Sequence, residues 1–336
     1  MDDFEWSGEQ VVLCKDDALG LRAVIAVDST VLGGGLGGVR FKHYPSYGAG
    51  IREAQRLAAA MTLKNAAAGL GYGGAKAVIF ATEPGDRRAF MRAFGEFTAR
   101  LGGSYLPGVD MGTTMDDLRW MAEGGAPVIS GEENPSPSTA VGVHHAIRAA
   151  VAHRFGADTL DGRTVLVQGV GHVGASLARL AAADGARLLL SDLDGERAAA
   201  LARELGGRVV PPEEVTATPC DVYAPCAAAR VVHPGSIATL RCDIIAGAAN
   251  DTLAHPSCAD LLHARGITYV PDFVANAGGV IQMDAVHRGL SQGELDDALA
   301  AIGTRVARLL AESDAEGITP LAAAERAARA RLAGAA

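Results

Sequence analysis

The apolar positions of this chain change period along its length, and each change marks an element. Residues 11 to 28 hold the apolar runs Val11-Val12-Leu13 and Ala23 to Val27 around the acidic turn Asp16-Asp17, which predicts paired antiparallel strands. From Ile51 the apolar positions recur at helical spacing through Ala54, Leu57/Ala58 and Met61, so an amphipathic helix is expected over 48–69. Ala77-Val78-Ile79-Phe80 then reads as a buried strand. Phe90, Met91, Phe94 and Phe97 predict a second helix over 86–101 whose apolar face is core. Between the first strands and the first helix lies Leu32-Gly33-Gly34-Gly35-Leu36-Gly37-Gly38-Val39-Arg40-Phe41. Its glycines suit positive φ or close backbone approach. No G-K-[ST] follows, so it is a poor phosphate loop. A substrate-facing loop or tight bend is expected, with a flexible surface loop as the alternative.

Asn134-Pro-Ser-Pro-Ser138 breaks the pattern, and a long helix is expected from near Thr139. From Thr164 the pattern becomes strand, Gly-rich turn, helix. Thr164–Gln168 is a buried strand, Gly169-Val170-Gly171-His172-Val173-Gly174 follows, and an Ala/Leu helix runs to about Ala183. A second strand, Arg187–Ser191, ends at Asp192, 23 residues past the first glycine, near the spacing of about 20 that a ribose-binding acid takes. Alone, G-x-G-x-x-G is a weak signal. Flanked by strand and helix, with an acid at that distance, it predicts a Rossmann dinucleotide site. Asp192 suits the adenosine ribose hydroxyls and repels a 2′-phosphate, which favours NAD over NADP. His172 reads as an ordinary helix-start residue. Short apolar runs at 221–226, 243–250 and 267–272 continue the strand–helix alternation, and Asn250 sits at one strand end, where the nicotinamide half is expected. Amphipathic helices are expected over about 293–312 and 320–332. The fold class is therefore α/β with two domains. An N-terminal α/β substrate and dimerisation domain is expected over 1–138, completed by helices within about 293–336, and a Rossmann-type NAD-binding domain over 139–292.

Bulk properties narrow the function. A chain of 336 residues with 49% hydrophobic content has ample core for two domains. Its net charge of −9, with pI near 5.5, argues against nucleic acid or an anionic membrane as partner. The acidic start Met1-Asp2-Asp3 is unlike a secretory signal. The five cysteines form no close C-x-x-C pair, so neither a disulfide framework nor a metal site is expected, and the reducing cytoplasm is the expected setting.

The candidate chemistry lies in Met61–Phe80, which holds Lys64 and Lys76 in an otherwise almost uncharged, Ala/Gly-rich run. Lys64 continues the helical stripe and is expected to point inward. Two lysines beside one apolar pocket each disfavour the other's charge, and burial adds to the effect, so one can become a base near neutral pH. The alternative is that both snorkel to solvent. Asp110 stands alone among apolar residues and glycines in Tyr105–Thr114. It reads as a general acid or base, or else as a turn or N-cap aspartate. Asp116 and Asp117 fit helix capping.

Together these motifs resemble the leucine/phenylalanine/valine dehydrogenases of the glutamate dehydrogenase superfamily over nearly the whole chain. The match includes Leu36–Phe41, Met61–Leu70, Gly73–Ile79, Asp110–Thr114, Asn134–Pro137, Gly169–Gly174, Ala246–Asn250 and Pro271–Ile281. The resemblance implies that Lys64 holds the substrate α-carboxylate and that Lys76 activates water and polarises the keto group. It implies that Asp110 exchanges protons with the amine and that Asn250 contacts nicotinamide ribose and substrate. Leu36, beside Gly37, occupies the position where glutamate-specific relatives carry a lysine, so an apolar side chain is the expected substrate. Gly108 leaves room there for a bulky one. The implied reaction is reversible NAD-dependent oxidative deamination of a branched-chain or aromatic L-amino acid to the 2-keto acid and ammonia, in the cleft between the domains. A homo-oligomer, with a dimer favoured, is expected. The alternatives are a 2-hydroxy-acid dehydrogenase, which uses an arginine and a His–acid pair, and a catalytically silent NAD-binding protein.

Overall fold

The computed structural model describes residues 7–82, 84–129 and 134–335. The acidic start at Met1-Asp2-Asp3 lies outside them. The chain divides into two compact units. One comprises Met1–Glu133, Val286–Arg288 and Ala328–Ala336, and the other Asn134–Ala285 and Gly289–Ala327.

In the first unit the elements run β1 (Gln10–Asp16), β2 (Leu21–Ser29), β3 (Gly35–Lys42), α1 (Tyr47–Ala68), β4 (Gly73–Phe80), α2 (Arg87–Ala99), β5 (Tyr105–Val109) and α3 (Met115–Glu123). The sheet order is β1-β2-β4-β3-β5. β1, β2 and β4 pair antiparallel in sequence, and β3 runs parallel to both β4 and β5. Side chains alternate across a strand, so each strand feeds two layers. Val78 and Phe80 of β4 pack with Ala54, Ala58 and Ile51 of α1. Ala75, Ala77 and Ile79 face Phe90, Met91 and Phe94 of α2 and Leu118 and Met121 of α3.

The glycine-rich run is not a loop over most of its length. Residues 30 to 34 turn, and Gly35 to Lys42 form a central strand of the sheet. The cause is crowding. A Cβ on Gly35 would lie 2.7 Å from Ala75 Cβ, and one on Gly37 would lie 1.7 Å from the Ala75 carbonyl oxygen. At Gly35 and Gly37 the strand fits only without a side chain.

The second unit opens with α4 (Ser136–Phe155), three residues earlier than expected, because Pro137 falls in the first turn, where no donor is lost. There follow β6 (Thr164–Gln168), α5 (His172–Ala183), β7 (Arg187–Ser191), α6 (Gly195–Leu205), β8 (Arg208–Val209), a 3-10 turn (Pro212–Ala217), β9 (Cys220–Pro225), α7 (Pro234–Thr239), β10 (Cys242–Ile245), α8 (Cys258–Ala264) and β11 (Thr268–Tyr269). The chain then continues through α9 (Asp272–Ala275), α10 (Gly278–Arg288), α11 (Gln292–Glu316) and α12 (Pro320–Ala335). The sheet is parallel throughout, ordered β11-β10-β9-β6-β7-β8. Its connections diverge between β6 and β9, which makes their carboxyl ends a topological switch point.

The C-terminal helices are allotted differently from expectation. Residues Gly289–Ala327 belong to the second unit, and only Val286–Arg288 and Ala328–Ala336 join the first. Small residues explain this. A Cβ on Gly142 of α4 would lie 2.6 Å from Ile302 Cδ1, and one on Gly303 would lie 3.1 Å from the His145 carbonyl oxygen, so α4 and α11 lie backbone-close. The last turns of α12 are tied to the first unit by Arg331, whose guanidinium donates to the Leu70 carbonyl at 2.8 Å.

α1 meets β4 at Gly74, where a Cβ would lie 2.1 Å from Thr62 N and 2.5 Å from the Ala58 carbonyl oxygen. Backbone on both sides leaves nothing to yield. Gly74→Ala should therefore destabilise the first unit by about 3 kcal/mol, read as a lowered melting temperature by circular dichroism.

Candidate active site

The site in the first unit is built on the α1 face of the sheet. Lys76, on β4, is 6% exposed. Its Nζ donates to Asp110 Oδ2 at 2.6 Å. Asp110 lies just past β5, so the lysine side chain must cross β3 to reach it. It crosses at Gly38, where a Cβ would lie 3.2 Å from Lys76 Nζ and 2.7 Å from Asp110 Cβ. The aspartate loop is fastened from several sides. The Asp110 amide donates to Thr113 Oγ1, and that hydroxyl lies 2.8 Å from the Val39 carbonyl, its acceptor. Arg87 donates to the Gly112 carbonyl at 2.8 Å and forms a two-point pair with Asp117, which is fully buried. Asp117 also completes the capping box of α3 with Thr114, as its position at the helix start implied.

Two residues that the motif reading did not assign complete the group. Arg40 Nε donates to Asp110 Oδ2 at 2.8 Å, and Arg40 Nη1 donates to Glu53 Oε1 at 2.5 Å. The result is an alternating row of charges, Glu53–Arg40–Asp110–Lys76. Signals for both existed. Arg40 is the one charge in the Leu32–Phe41 run, on the same strand face as Gly38. Glu53 precedes Lys64 by three helical turns, which places the two on one face of α1.

The electrostatics follow from burial and this row. Burial pushes the Asp110 carboxyl up, but Lys76 and Arg40 outweigh it and hold its pKa down at about 2. The pair therefore stabilises the fold above the ordinary carboxylate range, and that stability is lost as pH falls toward about 2. Burial dominates at Lys76 and lowers its pKa; Asp110 opposes this, and Arg40 reinforces it. The cation that acts against the charge on Lys76 is thus Arg40, whereas the sequence expectation assigned that part to Lys64.

Lys64 is half-buried rather than turned fully inward. The buried line of α1 runs through Ala54, Ala58, Thr62 and Asn65, with Met61 and Lys64 at its margin. Its neighbours anchor it to the strand ends. Thr62 Oγ1 donates to Asp28 at 2.6 Å, and Asn65 Nδ2 donates to the Gly73 carbonyl at 2.6 Å. Leu36, on β3, is 1% exposed and pairs in register with Gly74 and Leu106. Gly37 follows it against Ala75.

In the second unit the residues of the glycine fingerprint have three different surroundings. Gly169 has φ +92°, and a Cβ there would lie 2.3 Å from Ala227 Cβ. Gly171 faces open space, with nothing within 4 Å of a built Cβ. A Cβ on Gly174 would lie 1.9 Å from the Gly169 carbonyl oxygen. A tight turn, an open approach and a close helix–strand contact are the three requirements of a pyrophosphate-binding turn. His172 and Val173 open α5, which has no side-chain cap, so their amides are available to an anion. Asp192 Oδ2 accepts the Val170 amide at 2.7 Å, and Oδ1 accepts from Arg197 at 2.8 Å. Burial raises the Asp192 carboxyl, and the amides of Asp194 and Val170 with Arg197 bring it below its ordinary value. Asn250 follows β10, and its Oδ1 accepts from the buried Asn276 at 2.9 Å, a contact that sequence reading missed because Asn276 reads as a helix start.

A parallel sheet with this strand order and these glycine surroundings, in a chain whose other unit buries a lysine–aspartate pair, defines the class of two-unit dehydrogenases. The Glu/Leu/Phe/Val dehydrogenase dimerisation domain profile matches residues 9–125, and the Glutamate/Leucine/Phenylalanine/Valine dehydrogenase profile matches residues 190–335. The chain is 40% identical to the leucine dehydrogenase of Bacillus cereus, over 97% of this chain and 91% of that enzyme. It is 38% identical to the valine dehydrogenase of Streptomyces albus, over 97% of this chain and 92% of that enzyme. The crystal structure of L-tryptophan dehydrogenase from Nostoc punctiforme superposes with a TM-score of 0.86 at 33% identity, covering 98% of this chain and 96% of that one. The chain belongs to the glutamate/leucine/phenylalanine/valine dehydrogenase family.

Gly38→Ala should push Lys76 and Asp110 apart while leaving the core clusters intact. Turnover should fall about a hundredfold for a displacement near 1 Å, with an unchanged far-ultraviolet circular dichroism spectrum.

Proposed function

We propose that this protein catalyses the reversible NAD-dependent oxidative deamination of an apolar L-amino acid to its 2-keto acid and ammonia. The observation that carries the reading is the buried Lys76–Asp110 pair at 2.6 Å, formed across a glycine strand that also presents Leu36. The leucine, valine and tryptophan specificities named for its relatives support an apolar substrate. Lys64 holds the substrate carboxylate. NAD, held at the glycine turn, would supply the hydride acceptor. Lys76, with its pKa lowered by burial, activates the water that adds to the imino carbon and polarises the oxygen in the reverse direction. Asp110 begins as a carboxylate and takes up protons released on the amine side. Gly169, Val170, Gly171, His172, Val173 and Gly174 would hold the pyrophosphate, Asp192 the adenosine ribose and Asn250 the nicotinamide ribose. A 2-hydroxy-acid dehydrogenase would bind the substrate carboxylate through an arginine. Arg40, the arginine in this site, is bonded to two carboxylates of its own chain.

Lys76 must lose a proton to act, so activity rises as pH climbs through its lowered pKa. Initial rates on a panel of branched and aromatic L-amino acids, with NAD and NADP in parallel, should show NAD-linked turnover that increases from neutral toward alkaline pH. Lys76→Ala should lower it by about 10²- to 10⁴-fold while NADH binding, followed by fluorescence, persists. Flat activity across that range, or near-normal turnover in the variant, would remove Lys76 from the mechanism.

The homo-oligomer is proposed to form through the first unit, which matches the dimerisation domain. β1 is an edge strand, and Leu13 on it is 68% exposed, an apolar residue at an unpaired edge. Leu13→Arg should lower the mass measured by light scattering; an unchanged mass would place the interface elsewhere.

A further inference from the structure

The row of charges divides two tasks that a single lysine–aspartate pair cannot perform together. Arg40 Nε and Lys76 Nζ both donate to the same oxygen, Asp110 Oδ2, at 2.8 and 2.6 Å. If Lys76 were the only cation there, its deprotonation would leave a buried carboxylate without a countercharge. The proton would then stay on the pair, and the base would not form. A guanidinium does not deprotonate in the working range of an enzyme, so Arg40 supplies a permanent countercharge. Glu53 grips the other side of the fork at 2.5 Å from α1 and fixes its plane. The side chains of Arg40 and Glu53 are 18% and 22% exposed, so solvent screens the row only weakly.

We propose that Arg40, anchored by Glu53, is a positioning residue that keeps Asp110 a carboxylate while Lys76 gives up its proton. The inference rests on the reading of Lys76 as the catalytic base. Groups facing this row come from each packed element. Arg40 comes from β3, Glu53 and Lys64 from α1, and Asp110 from the loop after β5, while the Tyr105 phenol of β5 lies behind the row, in the core on the opposite face of the sheet. The Tyr44 phenol lies just before α1. Both phenols are raised above their ordinary range, chiefly by burial, and stay neutral. Burial dominates at Arg40 and opposes its charge, but Asp110 and Glu53 more than restore it. The two carboxylates act on Lys76 with the same sign, and Arg40 acts with the opposite sign.

That difference in sign gives the test. The pH dependence of kcat/KM is measured with NAD and the best amino acid from the panel, for the full-length protein and three variants. Arg40→Met should move the ascending limb to higher pH by about one unit. Arg40→Lys keeps the charge and should hold the limb near its original place, with a lower plateau from the lost fork. Glu53→Gln should move the limb to lower pH. A nitrogen-15 NMR titration of lysine Nζ, assigned through Lys76→Arg, should show the same displacements without turnover. Rates that fall equally at all pH values, with limb and Nζ titration unmoved in Arg40→Met and Glu53→Gln, would overturn the inference and leave Arg40 a structural residue. If Arg40→Met does not fold, the Glu53→Gln limb decides: a downward move supports the inference, and none overturns it. Turnover that survives Lys76→Ala would overturn both readings, whereas an unmoved limb beside an inactive Lys76→Ala overturns this one alone.

Discussion

The lysine–aspartate pair that spans β3 is the constraint to which the first unit is fitted. A buried ammonium is costly to the fold unless an anion meets it, and the nearest strand lies between the two. The sheet resolves this by removing side chains along that strand. Gly35, Gly37 and Gly38 let β3 lie between β4 and β5 without pushing either away, and Gly38 lies directly beneath the lysine side chain. On β4, the missing side chain of Gly74 brings α1 close, and Asn65 bonds the neighbouring Gly73 carbonyl at the head of that strand. Placement of the lysine–aspartate pair and packing of the layers are thus one arrangement rather than two.

Much of this was legible because period and chemistry agreed. The strand Thr164–Gln168, the helix ending at Ala183 and the strand Arg187–Ser191 begin and end where apolar run, glycine turn and acidic residue say they should. β3 was illegible for a physical reason. A strand is recognised by alternating side chains, and glycines carry none, so the run Leu32–Phe41 reads as a bend. The depth of Lys64 was hard to read because small residues blur a helical stripe. Alanine lines much of α1, and the buried line falls on Thr62 and Asn65, polar residues that serve as fasteners rather than filler. The C-terminal helices defeated assignment because an amphipathic face states that a partner exists but not which one. The close contacts of α4 with α11 at Gly142 and Gly303 become visible only in three dimensions.

Arg40 and Glu53 illustrate a further limit. Ion pairs between a strand and a helix leave no short spacing that links their partners, and each residue alone resembles an ordinary charge on its own element. Their meaning appears when Asp110 is found between Arg40 and Lys76, bonded to both. An isolated buried acid–base pair holds its proton; a third, permanently charged group frees one member to titrate.

The bond from the Val170 amide to Asp192 has a thermodynamic corollary. It fastens the turn after β6 to the tip of β7, so this loop gives up its conformational freedom when the chain folds, before any ligand arrives. Association with a preformed turn carries little ordering entropy of its own. The heat-capacity change of association should then scale with apolar area covered at the turn. Any excess recorded by calorimetry would come from rearrangement elsewhere in the polypeptide.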